Sequence, residues 1–185
     1  MKRRIFIAVD LPTGLKQRIA DTIKQWQWLP IRWLAPENWH ITLIPPVYLE
    51  DAEVGMLTKL FKKGSPGRPF VVRFSRVLLA PPGVPARMVW LEGEAPSELT
   101  QLQKKLEKAW ASLAALAQPK GEHRPLALHV TLARFEPGEL KELEAKTRTL
   151  GEVDFRFEAN EVVVMESHLK PSGAEYAVVV RAPLV

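Results

Sequence analysis

One short motif occurs twice in this chain and constrains the fold more than any other feature. The tetrad His-apolar-Thr-Leu stands at residues 40–43 and again at residues 129–132, which places the two histidines 89 residues apart. Side chains alternate between the two faces of a strand, so a strand built on either tetrad carries His and Thr on one face and apolar residues on the other. Each tetrad therefore predicts a strand with one buried face and one chemically active face.

The segments around the two motifs follow the same order, which predicts an internal duplication. A helical pattern precedes each motif, another follows it, and two strands come after that. The predicted helices span 11–26, 51–64 (capped by Asp51), 97–113 (capped by Ser97) and 137–150 (opened by Pro137). The predicted strands span 3–9, 31–34, 39–44 (ended by Pro45 and Pro46), 70–79, 88–91, 126–133, 153–157, 162–166 and 176–180.

This mixture of strand pairs and helices predicts an α+β fold. We expect a single two-lobed domain over residues 1–185, with the repeat falling at about 1–92 and 93–185. No Gly/Ser-rich linker separates these halves, so two closely apposed lobes are predicted. Each pseudo-symmetric lobe would hold an antiparallel sheet with helices, and a central cleft would lie between the lobes.

Composition narrows the class of function. The chain has 185 residues, 46% of them hydrophobic, and no cysteine, which excludes disulfides, a cysteine nucleophile and a cysteine-based zinc site. The net charge of +5 favours anionic partners, nucleic acid first. No stretch approaches the ~20 apolar residues that a membrane span needs, and the amino terminus lacks a secretory leader pattern. We expect a cytoplasmic protein without a membrane partner or an obligate protein partner, hence a monomer.

Two histidine–threonine pairs facing one cleft have a well-defined chemistry. Histidines on opposite sides of a phosphate can serve as general acid and general base, because the ordinary imidazole pKa of about 6.5 allows either form near neutrality. The hydroxyls of Thr42 and Thr131 can donate to the non-bridging oxygens and stabilise the charge of the transition state. A strained cyclic phosphate would need no metal or other cofactor. The near-symmetry of His40 and His129 leaves open which ring is the acid.

The residues around the motifs resemble a known family. The matching stretches are RIFIAVDLP, IRWLAPENWHITL, HVTLARF and ESHLKPSGAEYAVV, which occur in the family's order and cover essentially the whole chain. The chain resembles the two-histidine phosphoesterase superfamily, and within it the bacterial and archaeal RNA 2′,3′-cyclic phosphodiesterases, historically called 2′-5′ RNA ligases. One departure stands out, since the first motif usually continues into Phe-Leu-Gly and here continues into Ile44, Pro45 and Pro46.

This resemblance implies a function and an assignment of roles. It implies a bilobal fold with a central cleft and hydrolysis of RNA 2′,3′-cyclic phosphate ends to 2′-phosphomonoesters, with a weak reverse reaction that forms 2′-5′ bonds in some members. By resemblance alone, His40 is the acid that protonates the leaving 3′ oxygen and His129 is the base that activates water.

Further side chains are candidate substrate contacts. Arg134 is five residues beyond His129, so it would reach the same face only if the strand bends or ends there. Trp39 and Phe135 flank the motifs and could stack on a base, although core packing is the more common role of such aromatic residues. Tyr176 could hydrogen-bond near the site, and Arg87 could contact RNA phosphates. We expect the remaining histidines, His123 and His168, at the surface.

Three alternatives remain at this stage. A metal hydrolase would need a third or fourth ligand, and no His-Glu-x-x-His or Asp cluster accompanies the motifs. A non-catalytic module that binds RNA ends would tolerate the loss of either histidine. A cyclic phosphodiesterase acting on a small nucleotide would differ only in the shape of its cleft.

Overall fold

The computed structural model describes residues 1–113, 127–171 and 173–185. The predicted loop 119–125 with His123, and the predicted strand start at residue 126, lie outside this part. The strands are β1 Lys2–Asp10, β2 Arg32–Trp33, β3 His40–Glu50, β4 Phe70–Ala80, β5 Met88–Glu92, β6 His129–Arg134, β7 Thr149–Ala159, β8 Glu161–Lys170 and β9 Gly173–Pro183. The α-helices are α1 Thr13–Ile23, α2 Asp51–Lys63, α3 Ser97–Leu113 and α4 Lys141–Lys146, and short 3-10 turns cover Lys24–Trp26 and Pro36–Asn38.

Two antiparallel sheets organise these elements. The first sheet has four strands in the order β3-β1-β8-β9, and the second has five in the order β2-β6-β5-β4-β7. The predicted α+β class, with two lobes that each hold an antiparallel sheet, is confirmed. The lobes do not coincide with the two halves of the sequence, because β8 and β9 join the first sheet while β2, β4 and β5 join the second.

Helices cover one face of each sheet and form the main core with it. The apolar stripe of α1, Leu15, Ile19 and Ile23, is buried there together with β-strand residues of both sheets. Two further contacts anchor α1 and the 3-10 turn after it on the second sheet: Trp26 of that turn packs tightly against Gly151 of β7, and the Arg18 guanidinium of α1 lies 5.4 Å from the centre of the Phe155 ring. On the opposite face of the sheets lie two small apolar clusters, Phe6 with Ala8, Val163 and Met165, and Leu78 with Ala80 and Trp90. We call this opposite face the motif face, because it carries the paired histidines.

The first motif strand is longer than the sequence predicts. Pro45 and Pro46 were expected to end it, but β3 continues through both to Glu50. The reason is position, since β3 is an edge strand of its sheet and an edge strand tolerates residues that lack a backbone N–H.

The helix predicted over 137–150 is also corrected. Only Lys141–Lys146 is helical, and Leu150 belongs to β7, which begins at Thr149. Pairing of β7 with β4 along most of its length supplies the backbone hydrogen bonds that a longer helix would have made. In the part of the chain that the structure describes, no helix has the length and hydropathy to span a bilayer.

Candidate active site

The two tetrads lie on strands that approach each other between the sheets. His40 begins β3 and His129 begins β6, and Cα atoms of the two strands come within 8 Å of one another. In both strands the His and Thr are partly buried, whereas the apolar residues between and after them are fully buried in the main core. The alternation predicted from the sequence therefore brings four polar side chains onto the motif face.

A β-bulge follows the threonine in both strands. Trp90 pairs with Thr131 while the preceding Val89 pairs with Ala133, so β6 carries one extra residue at this point. In β3 an extra residue likewise follows Thr42. The extra residue returns Arg134 to the face of His129, which is how a residue five positions away reaches the motif face. The Arg134 side chain accordingly contacts the Met88 sulfur, with Nη1 to Sδ at 3.6 Å.

Backbone carbonyls fix the orientation of both imidazole rings. His40 Nδ1 lies 2.8 Å from the carbonyl oxygen of Asn38, and His129 Nδ1 lies 2.8 Å from that of Ala127. A carbonyl oxygen only accepts, so Nδ1 carries the hydrogen in both rings. The Nε2 atoms are therefore the ones that take up or release a proton: a neutral ring presents a basic Nε2, and a charged ring presents an acidic Nε2–H.

Burial determines the resting charge of the pair. Desolvation lowers the pKa of His40 from 6.5 to about 4, and it also lowers the pKa of His129. The bonds to Asn38 and Ala127 oppose both shifts, and the proximity of His129 lowers the pKa of His40 further. Both rings are consequently neutral at pH 7 in the unliganded protein.

A carboxylate lies directly opposite each histidine on the neighbouring strand. Asp10 pairs with His40 and Glu92 pairs with His129, and each carboxylate raises the pKa of its histidine. Each carboxylate is in turn held by a cation. Lys16 Nζ lies 2.8 Å from Asp10 Oδ1, and Arg76 Nη2 lies 2.6 Å from Glu92 Oε2. The two halves of the site thus share a histidine–carboxylate–cation arrangement.

Aromatic rings contact each histidine in different ways. His40 packs against Phe6 and edge-on against Tyr176, with ring centroids 4.9 Å and 5.1 Å away. His129 is stacked on Trp90 with centroids 3.8 Å apart and planes 19° apart. These rings restrict the imidazoles to one orientation and exclude water from one side, which is consistent with the lowered pKa values.

The remaining candidates fall in several places. Tyr176 lies at the site, whereas Trp39 is only 1% exposed in the main core, so it packs there and does not stack on a base. Phe135 is also a core residue, although its edge reaches a cavity beyond β6 that Arg87 and Arg134 line as well. His168 is exposed, as expected, with Nε2 3.8 Å from Glu166.

Sequence reasoning missed Phe6, Trp90, Asp10 and Glu92. All four lie on β1 or β5, the strands paired with β3 and β6, so their role depends on which strands become neighbours. The sequence contains one signal that could have pointed to these four residues, because an aromatic residue precedes an acidic residue in IFIAVD and again in VWLE. Among the described residues, no group of three or more His, Asp or Glu side chains is arranged to hold a metal ion.

The fold and the site define a class. Two His-x-Thr strands that meet between two antiparallel sheets are the architecture of the two-histidine phosphoesterases. Residues 12–171 match the 2'-5' RNA ligase superfamily, and the chain belongs to that family.

The chain is also similar to curated relatives and to a solved structure. The chain is 25% identical to the RNA 2',3'-cyclic phosphodiesterase of Methanocaldococcus jannaschii over 95% of this chain and 98% of that protein. It is 29% identical to the protein of the same name from Methanothermobacter thermautotrophicus over 95% and 96%. A solved structure from Thermus thermophilus superposes with a TM-score of 0.80 at 21% identity, covering 98% of this chain and 97% of the other, which shows a shared fold.

Proposed function

We propose that the protein hydrolyses RNA 2′,3′-cyclic phosphate ends to 2′-phosphomonoesters through acid–base catalysis by His40 and His129. The observation that carries the proposal is the matched orientation of the two rings, each with Nδ1 bound to a carbonyl and Nε2 left for proton transfer. The names of the two archaeal relatives, which align over nearly their whole length, support RNA cyclic phosphate as the substrate.

In the proposed reaction, a water oxygen attacks phosphorus while Nε2 of His129 takes one of its protons. The bond from phosphorus to the 3′ oxygen breaks, and Nε2–H of His40 gives its proton to that oxygen, which leaves a 2′-phosphomonoester. Thr42 and Thr131, on the same face as the rings, donate hydrogen bonds to the non-bridging oxygens as charge develops on them. Arg134 supplies a positive charge at the same face. Every proton is exchanged between histidine, water and substrate, so no metal or other cofactor is required.

The acid must gain its proton when substrate binds. The low pKa of His40 leaves that ring neutral at pH 7 in the free protein. A phosphate anion in contact with a ring favours the charged form and raises its pKa. Arg134 lowers the pKa of His129 and so opposes protonation of the base. An anionic substrate would thus charge one ring while the other remains available to accept a proton from water.

The proposed chemistry extends to the formation and cleavage of 2′-5′ bonds. When a 5′-hydroxyl attacks in place of water, His129 takes its proton and His40 again protonates the leaving 3′ oxygen, which forms a 2′-5′ linkage. Cleavage of that linkage back to the cyclic ester uses the two histidines with their roles exchanged, as microscopic reversibility requires. Hydrolysis is favoured over ligation because water is in vast excess over 5′-hydroxyl groups.

The proposal is tested with a short RNA that ends in a 2′,3′-cyclic phosphate. We expect a 2′-phosphomonoester as the product, identified by phosphorus NMR, with the same rate in excess chelator. His129→Ala should lose activity, whereas His168→Ala, a matched change at an exposed histidine, should keep it. Tight binding without turnover would instead indicate a module that only binds RNA ends, and loss of activity in chelator would indicate a metal hydrolase.

A further inference from the structure

A cavity beyond the histidine pair shares one residue, Arg134, with the reaction proposed above. It has a volume of about 800 Å³ and opens at the end of β6. It is lined by Pro30, Ile31, Arg32, Arg87, Met88, Arg134, Phe135, Glu136, Pro137 and Glu139. Met88 connects it to the site, since it packs against the apolar cluster that contains Trp90, the ring on which His129 is stacked. The volume is in the range of small-ligand sites, roughly 300–1,000 Å³.

Three arginines converge on this cavity because of strand register. Arg134 pairs directly with Arg32 on β2 and with Met88 on β5, so the three residues form one row on one face of the sheet. The bulge in β6 turns that row toward the motif face. Arg87 precedes Met88 and approaches from the side of β5, where its N–H donates to the carbonyl of Ala80.

In the part of the chain that the structure describes, Arg32, Arg87 and Arg134 take part in no ion pair, and the polar contact of the Arg134 guanidinium is the Met88 sulfur. Two carboxylates, those of Glu136 and Glu139, line the same cavity, and the Glu139 carboxylate accepts the backbone N–H of Glu136 at 2.7 Å and so closes the turn after β6. Like charges directly opposite on paired strands destabilise a sheet, so Arg32 beside Arg134 is an arrangement that a bound anion would stabilise.

Arg134 lies between the reacting phosphate and the rest of this cavity, because Arg32 is on the strand beyond β6 and Arg87 is beside Phe135, one residue past the end of β6. Arg134 lies three residues beyond Thr131, about 10 Å at the roughly 3.3 Å rise of a strand residue, less the shortening at the bulge. A phosphate held between the two histidines therefore leaves Arg32 and Arg87 unoccupied. A neighbouring phosphate of the same chain, one nucleotide away, would approach them, and guanidinium groups bind phosphate through paired N–H donors.

We infer that this cavity binds a second phosphate of the substrate, the one on the 5′ oxygen of the terminal nucleotide, with Arg32 and Arg87 as its principal cations. The enzyme then selects RNA chains over cyclic mononucleotides. This inference rests on the proposed function, because the second phosphate belongs to the same RNA chain whose cyclic end is hydrolysed.

Three substrates and matched arginine variants test it. The substrates are a nucleoside 2′,3′-cyclic phosphate, the same compound with a 5′-phosphate, and a dinucleotide with the same cyclic end. We expect kcat/KM to rise about 10-fold to 100-fold when the second phosphate is added, the range for charge-assisted hydrogen bonds. A further gain with the dinucleotide would identify an RNA chain, rather than a free nucleotide, as the natural source of that phosphate.

Arg32→Gln and Arg87→Gln should each reduce this preference, and the double variant should remove most of it. Arg156→Gln is the control. Arg156 is exposed on β7 at the other edge of the same sheet, and this substitution removes the same charge. A dinucleotide with a neutral methylphosphonate linkage should lose the preference with the parent protein, which avoids any effect of the variants on folding.

Equal kcat/KM for all three substrates with the parent protein, or a preference that survives both the arginine changes and the neutral linkage, would overturn the inference. Failure of the parent protein to open any cyclic phosphate would contradict the proposed function itself, and it would appear before any variant is made.

Discussion

The two histidine strands differ far less in their backbone than in what surrounds them. Each has a ring held by the carbonyl two residues earlier, a threonine two residues later, a bulge after that threonine, and a carboxylate opposite the histidine. The position five residues beyond the histidine is Pro45 in β3 and Arg134 in β6. Position in the sheet differs as well, because β3 is an edge strand while β6 has β2 and β5 on its two sides.

This difference separates chemistry from recognition. The shared backbone features leave the Nε2 atom of each histidine free of the carbonyl that holds its Nδ1. The features that differ are Phe6 and Tyr176 around His40 against Trp90 and Arg134 around His129, which give the His40 side two aromatic rings and the His129 side an additional cation. We infer that the duplication supplies the acid–base pair and that the unlike surroundings decide how the substrate lies across it.

Loss of either histidine should have the largest effect. His40→Ala and His129→Ala should each reduce kcat by ~10²–10⁴-fold, as expected for removing one general acid or base. Because the two rings act in one step, the double variant should be little slower than the slower single variant. Steady-state rates on a cyclic-phosphate RNA measure this. Additive losses would mean that the two rings act independently.

Substitution of Arg134 should have the next largest effect on the rate. This cation has no counterpart in β3, where the equivalent position is a proline. Arg134→Gln should reduce kcat/KM by about 10-fold to 100-fold through the lost charge-assisted contacts to phosphate. It should also raise the pKa of His129, because Arg134 lowers it in the folded protein. An NMR titration of the imidazole C–H signals measures the second effect. A full loss of rate without any movement of that titration would indicate a contact to substrate alone.

The two threonines should contribute less and by similar amounts. Thr42→Val and Thr131→Val each remove one neutral donor while keeping the shape of the side chain, which should reduce kcat by about 3-fold to 10-fold. Serine at either position should restore most of the rate, since it returns the hydroxyl. A large loss at one position with none at the other would show that the phosphate lies against one strand only.

The smallest effects should come from the paired carboxylates. Asp10→Asn should lower the pKa of His40, and Glu92→Gln should lower that of His129, because each substitution removes a negative charge that favours the imidazolium. The same NMR titration follows each ring, with Asp154→Asn, an exposed acidic residue on β7, as the control. If Asp10→Asn changed the pKa of His129, or Glu92→Gln that of His40, and not the pKa of the paired ring, the cross-strand pairing would not describe the electrostatics of the site.

Local patterns in the sequence allowed much of the fold and of the candidate site to be predicted. Alternation alone placed His40, Thr42, His129 and Thr131 on one face, because the period of a strand is a local property. The exchange of β8 and β9 for β4 and β5 between lobes depends on pairing between distant segments, which periodicity does not reveal. The continuation of β3 through two prolines depends on its edge position for the same reason.

Arg134 shows the limit most clearly. A regular strand predicts that a residue five positions from His129 points away from it. The bulge returns Arg134 to the face of His129. It is an extra residue of β6 in the pairing with β5, so it is defined only by the pairing of these two strands. Phe6, Trp90, Asp10 and Glu92 were missed on similar grounds, since each reaches a histidine only across a strand pair.

The pH dependence of kcat/KM tests the central claim most directly, measured for the parent protein and both histidine variants on one cyclic-phosphate RNA. The parent should give a bell, and it should be centred below pH 6.5, because burial lowers the pKa of both rings in the free protein. The two apparent pKa values of that bell belong to the coupled pair. His40→Ala should keep only the rise at low pH, where the remaining base loses its proton, and His129→Ala should keep only the fall at high pH, where the remaining acid loses its own. A bell retained by both variants would contradict acid–base catalysis by this pair, and exchanged limbs would contradict the roles assigned to His40 and His129.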